Sequence, residues 1–156
     1  MSKDNSTHSA LTTPIAVLDK IPTDLVQLAL RGGLAGIFWS SARTKVDGLL
    51  SISEDTYFLF EEEYRLPLVN PDAAAQIATY AEHLLPLMLV LGIGSRFAAL
   101  GLFVMTLTIQ LFVYPDAFLS THFGWFALAL AIIARGPGRV SLDHLIGTKL
   151  WQQSRA

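Results

Sequence analysis

The sequence predicts an all-α integral membrane protein, a four-helix bundle, on three observations. Four apolar stretches each approach the roughly 20 residues that a helix needs to cross a bilayer. The 156 residues are 52% hydrophobic and only 15% charged, and a soluble chain of this size has too small a core to bury so much apolar surface. Polar residues interrupt the apolar stretches at only a few points, namely Arg31, Glu82, His83, Gln110 and His122. Because polar groups are costly in lipid, these residues are the ones placed to do more than span it.

The first two spans are bounded by residues that suit helix ends. The first runs roughly over residues 24–41, with Asp24 as its predicted cap. The second begins at Asn70-Pro71-Asp72, where a capping side chain precedes a proline in the first helical turn. Pro86 lies four residues after Glu82 and removes one backbone hydrogen bond, which predicts a kink.

The last two spans follow a tight reversal of the chain at Gly92-Ile93-Gly94-Ser95. The third span starts at Arg96 and is stopped by Pro115-Asp116. The fourth runs from about 118 to 134 and closes at Arg135-Gly136-Pro137-Gly138. Short turns between consecutive spans predict that neighbouring helices are antiparallel.

Two shorter helices are expected outside the spans. Ser53-Glu54-Asp55-Thr56 is typical of a helix start and precedes several aromatic residues, which predicts a short interfacial helix in the first extracytoplasmic loop. Apolar residues at helical spacing after Ser141 predict an amphipathic C-terminal helix. The predicted organisation is a disordered cytoplasmic tail over 1–23, a membrane domain over 24–147 and a C-terminal tail over 148–156.

The distribution of cations predicts the orientation. With four spans, one side holds Lys3, Lys20, Arg96, Arg135, Arg139, Lys149 and Arg155, and the other holds Arg43, Lys45 and Arg65. Positive charge marks the cytoplasmic side, so both termini are expected in the cytoplasm and the acidic loop 43–69 outside. The polar N-terminus lacks the apolar segment of a cleaved signal peptide. The predicted location is the bacterial cytoplasmic (inner) membrane.

Arg31 and Glu82 are predicted to form an ion pair inside the membrane. Both lie well inside antiparallel spans, and pairing would remove the cost of two isolated charges. Gly32 and Gly36 form a GxxxG pattern beside Arg31 that permits close approach by a neighbouring helix. The pair is open to two interpretations, a structural contact that fixes helix pairing or a functional centre.

Further polar residues predict a pocket in the outward-facing half of the bundle. Tyr80 and His83 share a helix face with Gln76, while Gln110 and His122 lie on the outer parts of the third and fourth spans. Tyr80, Gln110 and His122 are expected to converge there, and the alternative for His122 is an interhelical hydrogen bond. No metal site is predicted, because the histidines lack an HxxxH or ExxH partner.

Five motifs occur in order along the chain. They are LALRGGLAGIFWSSARTK, DTYFLFEEEYRLPLVNP, ATYAEHLLPLMLVLGIGSRFAALGL, YPDAF and GPGRVSLDHLIG. In this order they resemble the DoxX family of small four-helix membrane proteins, over about Leu25 to Gly147. The resemblance implies a redox-linked membrane component, since the family takes its name from the small subunit associated with a thiosulfate:quinone oxidoreductase. It also implies a partner subunit.

Two classes of function remain open. The first is a redox-linked membrane subunit that binds quinone, whose two carbonyls need a lipid-accessible cleft with donors such as His, Tyr, Gln or Arg. The candidate ligand-binding residues are Arg31, Tyr80, Glu82, His83, Gln110 and His122. The alternative is a non-catalytic membrane anchor or scaffold for a partner protein. A small transporter is least favoured, because no inverted repeat is evident.

The sequence leaves open whether the chain is itself an enzyme. It contains no hydrolytic triad, phosphate loop or nucleotide fingerprint, and no cysteine. Electrons would therefore come from a partner or a diffusible donor. The expected partners are the lipid bilayer and a protein subunit, a homo-oligomer is compatible with the sequence, and no nucleic acid is expected. No cofactor other than quinone is indicated.

Overall fold

The computed structural model describes residues 19–153, whose regular secondary structure is helical apart from one short hairpin. The elements are α1 (Thr23–Arg43), β1 (Val46–Asp47), β2 (Ser51–Ile52), α2 (Glu54–Leu59), α3 (Pro71–Leu91), α4 (Ser95–Phe112), α5 (Phe123–Arg135) and α6 (Leu142–Gln153). Most of the predicted N-terminal tail, residues 1–18, lies outside the described residues, as do residues 154–156. The predicted boundary at residue 148 falls within α6.

Helix α1 presents one face to the rest of the molecule. It follows Pro22, so Asp24 is not the cap that the sequence predicted. The Asp24 carboxylate instead accepts a hydrogen bond from the backbone N–H of Arg139 (2.7 Å). The buried residues recur every three or four positions, and they are Gln27, Arg31, Leu34, Ala35, Phe38 and Ala42. Two polar side chains therefore lie on the packing face.

The chain after α1 folds back over one end of the helices. Strands β1 and β2 pair antiparallel, and α2 passes into a π-helical turn over Phe60–Tyr64. Phe60 packs against Ala74 and Ala75 of α3. The sequence did not predict the hairpin, because neither strand exceeds two residues. We call residues 44–66 the cover segment, and the end of the molecule beneath it the cover end.

Helices α3 and α4 form an antiparallel pair with well-defined ends. The Asn70 side chain accepts hydrogen bonds from the N–H groups of Asp72 (2.9 Å) and Ala73 (3.3 Å), which confirms the predicted cap. Helix α3 continues through Pro86 as a single element. It ends at Gly92, whose φ of +72° is the left-handed conformation that favours glycine.

The fourth apolar stretch begins irregularly. Pro115–Ala117 is a 3₁₀ turn, Phe118–His122 is a π-helical turn, and α5 follows from Phe123. Inserted π-helical turns are frequent at functional sites, because they change which way the neighbouring side chains point. The two π-helical turns of the described chain end at Tyr64 and His122, and both of these side chains line the same cavity.

The four long helices pack side by side. Helices α1 and α4 each lie against α3 and α5. The core between them is made of small and aliphatic residues with one phenylalanine: Leu34, Ala35, Phe38, Leu89, Ala98, Ala99, Leu102, Ala129 and Ile132. The outer faces are apolar as well, with Ile77, Phe97 and Leu130 exposed. Apolar side chains on all sides of a helix are typical of membrane proteins.

Three stretches of the described chain are long and apolar enough to cross a bilayer, and they are Pro71–Leu91, Ser95–Phe112 and Pro115–Arg135. Helix α1 has 21 residues but is not among them. Its polar residues Gln27 and Arg31 lower its hydropathy, yet both are buried against the other helices.

The chain after α5 closes the end opposite the cover segment. The Asp143 carboxylate accepts hydrogen bonds from the N–H groups of Gly94 (2.7 Å) and Ser95 (3.0 Å) and so caps α4. The Ser141 hydroxyl accepts a hydrogen bond from the N–H of His144 (3.2 Å) at the start of α6. The beginning of α1, the α3–α4 turn and α6 therefore lie at one end of the molecule.

Candidate functional site

A polar cavity lies between the four long helices at the cover end. It encloses about 300 Å³, at the lower limit of the volumes usual for ligand sites. Its walls come from every long helix and from the cover segment: Ile37, Phe38, Ser41, Tyr64, Glu82, Ile109, Tyr114, Ala117, Thr121, His122 and Trp125. Two of the polar residues that interrupt the apolar stretches, Glu82 and His122, thus meet in this cavity.

Glu82 contributes a buried ion pair to this cavity. Its Oε2 lies 2.8 Å from Nζ of Lys45, which also donates to the Ser41 hydroxyl (2.8 Å). Both charged side chains are almost fully buried. The carbonyl of Lys45 accepts hydrogen bonds from the Thr56 hydroxyl (2.9 Å) and the Ser53 N–H (3.1 Å). The ion pair therefore also fastens the cover segment to the helices.

The predicted ion pair between Arg31 and Glu82 is wrong. Arg31 donates from Nη2 to the carbonyl of Val140 (2.8 Å) and lies against Gly92. Gly92 is ten residues beyond Glu82 along α3, which is about 15 Å at 1.5 Å per residue. Helix α1 is displaced along α3 relative to the alignment that the sequence suggested. Lys45, just beyond the end of α1, consequently reaches Glu82.

Sequence reasoning missed Lys45 because it counted this residue only among the cations that set the membrane orientation. A lysine two positions beyond a helix end has a side chain long enough to fold back along that helix. A carboxylate inside a span requires a cation within reach. Lys45 is one of the three cations that the sequence places on the side of the membrane that holds the loop 43–69. That requirement is the signal that could have found the pair.

His122 and Gln110 are brought together, as the sequence predicted. His122 Nδ1 lies 2.6 Å from Oε1 of Gln110, and the Gln110 amide nitrogen donates to the carbonyl of Pro115 (2.6 Å). The imidazole is buried and also packs against the ring of Trp125. This arrangement fixes the orientation of a histidine in the cavity wall.

Tyr80 and His83 lie outside the cavity, and the predicted convergence of Tyr80 with Gln110 and His122 is wrong. Tyr80 is half exposed on the outer face of α3. His83 is buried, but its Nδ1 bonds to the carbonyl of Thr79 (2.8 Å) and its ring packs against Trp39. The faces on which the two residues lie are set by how α3 packs, which the pattern of polar residues did not reveal.

Two tyrosines line the cavity where the cover segment meets the 3₁₀ turn. The ring of Tyr64 lies 6.1 Å from that of Tyr114, and the Tyr114 hydroxyl donates to the carboxylate of Glu63. Burial raises the pKa of Tyr64, and the bond to Glu63 raises the pKa of Tyr114. Both hydroxyls therefore stay protonated at physiological pH, and the proton of Tyr114 is donated to Glu63.

An apolar groove adjoins the polar cavity. It encloses about 200 Å³ between the cover segment, α3 and α4, and is lined mainly by aliphatic side chains such as Ile77, Val104 and Val113. Tyr64, Glu82 and Ile109 belong to the walls of both spaces. These shared walls place an apolar surface groove directly beside the polar interior.

Arg31 belongs to a separate polar cluster at the end opposite the cover segment. Its Nε and Nη1, together with both amide atoms of Gln27, have no hydrogen-bond partner within the described part of the protein. This cluster is not connected with the cavity residues. Across residues 19–153, no group of three His, Cys, Asp or Glu side chains is placed to hold a metal ion.

The fold and the site define a helical, multi-pass membrane protein with a polar cavity between its helices. The sequence matches the DoxX family over residues 26–115, which is more than half of the chain. The chain therefore belongs to the DoxX family, and the resemblance in the sequence motifs is confirmed. Comparison with curated proteins gave no match, and comparison with solved structures gave none.

Proposed function

We propose that this DoxX-family protein is a redox-linked membrane subunit that binds a quinone-type ring in the polar cavity. The observation that carries the proposal is the shared wall of Tyr64, Glu82 and Ile109 between the cavity and the apolar groove. A lipid-soluble ligand needs an apolar surface for its tail and polar groups for its ring oxygens. The two adjoining spaces supply one of each.

The residues around the cavity suit such a ring. His122, Glu82 and Tyr64 would hold the polar head group, and the aliphatic groove would hold the tail. Trp125 and Phe38 contribute aromatic surface to the same cavity, in which a planar ring can pack. When bound, the quinone itself would supply the capacity to carry electrons and protons.

The test is ligand binding to the purified protein in detergent, measured by calorimetry with decylubiquinone. Replacing Ile109 with Trp fills the space that the two cavities share and is expected to weaken binding at least about tenfold. The matched control is Leu84→Trp, because Leu84 is exposed on α3 and lines none of the cavities described here. Equal affinities for the two variants would place the ligand elsewhere.

We also propose that α1 crosses the membrane together with the three apolar stretches. Gln27 and Arg31 face the bundle, while Leu25, Val26 and Leu28 are exposed on the outside of α1. The helix thus presents an apolar surface to lipid despite its lower hydropathy. With four crossings both termini lie on one side, and the excess of cations there favours the cytoplasm of a bacterial cell.

A scaffold role is the second candidate function, and the exposed surface of the cover segment favours it. Phe58 is 67% exposed, and the neighbouring acidic residues Glu61 and Glu62 are exposed as well. Large exposed apolar side chains beside charges are common where proteins bind each other. If Phe58→Ser reduces the mass of the native complex in membranes, and neither decylubiquinone nor decylubiquinol binds the wild type, the scaffold role replaces the quinone site.

A further inference from the structure

We propose that the cavity selects the reduced, hydroxyl-bearing form of its ligand, so that a quinol binds more tightly than the corresponding quinone. This inference rests on the proposed function and specifies the chemical state of the ligand. A quinol ring carries two hydroxyl donors, whereas a quinone ring carries two carbonyl acceptors. The choice between them depends on whether the cavity offers hydrogen-bond acceptors or donors.

The orientation of the Gln110 amide determines the tautomer of His122. The carbonyl of Pro115 can only accept, so the Gln110 nitrogen must face it across the 2.6 Å contact. Gln110 Oε1 then faces His122 Nδ1, also at 2.6 Å, and this oxygen can only accept. Nδ1 must therefore carry the proton of the neutral imidazole, which leaves Nε2 with a lone pair.

The Nε2 atom of His122 is accordingly an acceptor in the cavity wall. Within the described residues it makes no hydrogen bond to the protein. An acceptor of this kind pairs with a hydroxyl and is left unpaired by a carbonyl oxygen. An unpaired polar atom in a buried site is costly, so the imidazole disfavours the oxidised ring.

Glu82 adds a second acceptor. One carboxylate oxygen bonds to Lys45, and the carboxylate, paired with an ammonium, has no proton to donate. Lys45 directs its own donors to Glu82 and to the hydroxyl and carbonyl of Ser41. The Tyr114 hydroxyl donates to Glu63.

The other hydroxyls in the wall do not discriminate between the two forms. Ser41, Tyr64 and Thr121 each carry a hydroxyl that can donate or accept. Of the groups limited to one role, the imidazole of His122 and the carboxylate of Glu82 accept, whereas the indole N–H of Trp125 donates. Acceptors outnumber donors among these groups, so the cavity favours a ligand that donates.

The experiment compares three ligands on the purified wild-type protein by calorimetry in one detergent. The ligands are decylubiquinol, decylubiquinone and the dimethyl ether of the quinol, which keeps the reduced ring but has no donor. We expect the quinol to bind about tenfold more tightly than either of the others, as one well-placed hydrogen bond allows. Equal or tighter binding of the quinone would overturn this inference and leave the proposed function standing. No binding of any ligand would overturn both.

A variant of Gln110 tests the cause of the preference. In Gln110→Glu, a carboxylate beside Nδ1 favours the doubly protonated imidazole, whose Nε2 donates. We expect the ratio of quinol to quinone affinity to fall at least about fivefold. The control is Tyr80→Phe, outside the cavity, which should keep the wild-type ratio. If Gln110→Glu also keeps the wild-type ratio, His122 does not set the preference. If Gln110→Glu does not fold, His122→Phe takes its place, and a wild-type ratio in that variant leads to the same conclusion.

Discussion

Glu82 is the residue whose environment is most demanding, because it is a carboxylate buried between helices. Removing an ion from water costs several kcal/mol, and a partner compensates only at close range with its remaining polar atoms bonded. Lys45 meets both conditions, at 2.8 Å from Glu82 and with a further bond to Ser41. The stability of the cover end therefore depends on this pair.

Breaking the pair from either side should be strongly destabilising. Glu82→Gln and Lys45→Met are each expected to lower the free energy of unfolding by about 3–5 kcal/mol, since each leaves a buried polar group without its partner. The measurement is chemical unfolding in mixed micelles. The matched control is Glu62→Gln, which breaks the exposed Arg65–Glu62 pair (2.8 Å) and should cost at most about 1 kcal/mol. Similar costs for Glu82→Gln and Glu62→Gln would show that Glu82 is not held in a buried pair.

The partner of Glu82 can be identified by energetic coupling. A double-mutant cycle on Lys45→Met and Glu82→Gln should give a coupling energy of about 0.5–3 kcal/mol, because the two residues are in contact. A cycle on Arg31→Met and Glu82→Gln should be additive within about 0.5 kcal/mol, since these residues lie at different levels of the bundle. A larger coupling to Arg31 would restore the pair expected from the sequence alone.

At the scale of the elements, the sequence predicts those structural features that depend on residues close together in the chain. The cap at Asn70 and the polar interruptions of the spans could be read directly, because capping and apolar periodicity are local. The displacement of α1 along α3 could not, since it depends on distant contacts such as that between Asp24 and Arg139. The displacement of this one helix was enough to make Lys45, rather than Arg31, the partner of Glu82.

The sequence predicted only the part of the candidate site that depends on contacts between residues close together in the chain. Gln110 and His122 lie on consecutive elements joined by a short turn, so their meeting depends on a local reversal of the chain. Spacing assigned Tyr80 and His83 to one face of α3, but spacing does not reveal which side chains of a helix are buried. The structure buries His83 and leaves Tyr80 exposed.

At the end opposite the cover segment, the end of α3 packs against the segment between α5 and α6. A substitution at Gly92 tests this contact. This residue has φ +72°, and a Cβ there would lie 2.5 Å from Cβ of Ser141 and 2.8 Å from its Cα. Gly92→Ala is expected to cost about 3 kcal/mol, from backbone strain and from overlap with Ser141, the residue before α6. Gly48 has the same φ of +72° but nothing within 4 Å, so Gly48→Ala should cost only about 1 kcal/mol. Equal losses in unfolding free energy would mean that the segment after α5 does not pack on Gly92.

At the scale of the whole molecule, polar residues are concentrated inside the bundle near its two ends. Glu82, Lys45 and His122 lie at the cover end, and Gln27 and Arg31 lie at the other. The layer between them is apolar, and so are the outer faces of the helices. Such a distribution supports the proposal that α1 crosses a bilayer although it carries an arginine, because Gln27 and Arg31 are buried against the other helices.

The membrane topology, measured with reporter fusions, shows whether α1 crosses the membrane. A reporter joined after Glu62 should lie on the side opposite one at the N-terminus, because only α1 separates these positions. The control is a reporter inserted after Gly94, which must differ in side from Glu62 whenever α3 spans, whatever α1 does. The expected result is a cytoplasmic N-terminus and Gly94, with Glu62 outside, as the cation distribution favours. If the N-terminus and Glu62 are found on the same side while Gly94 is on the other, α1 does not cross the membrane. The cavity would then be bounded by only three membrane-spanning helices.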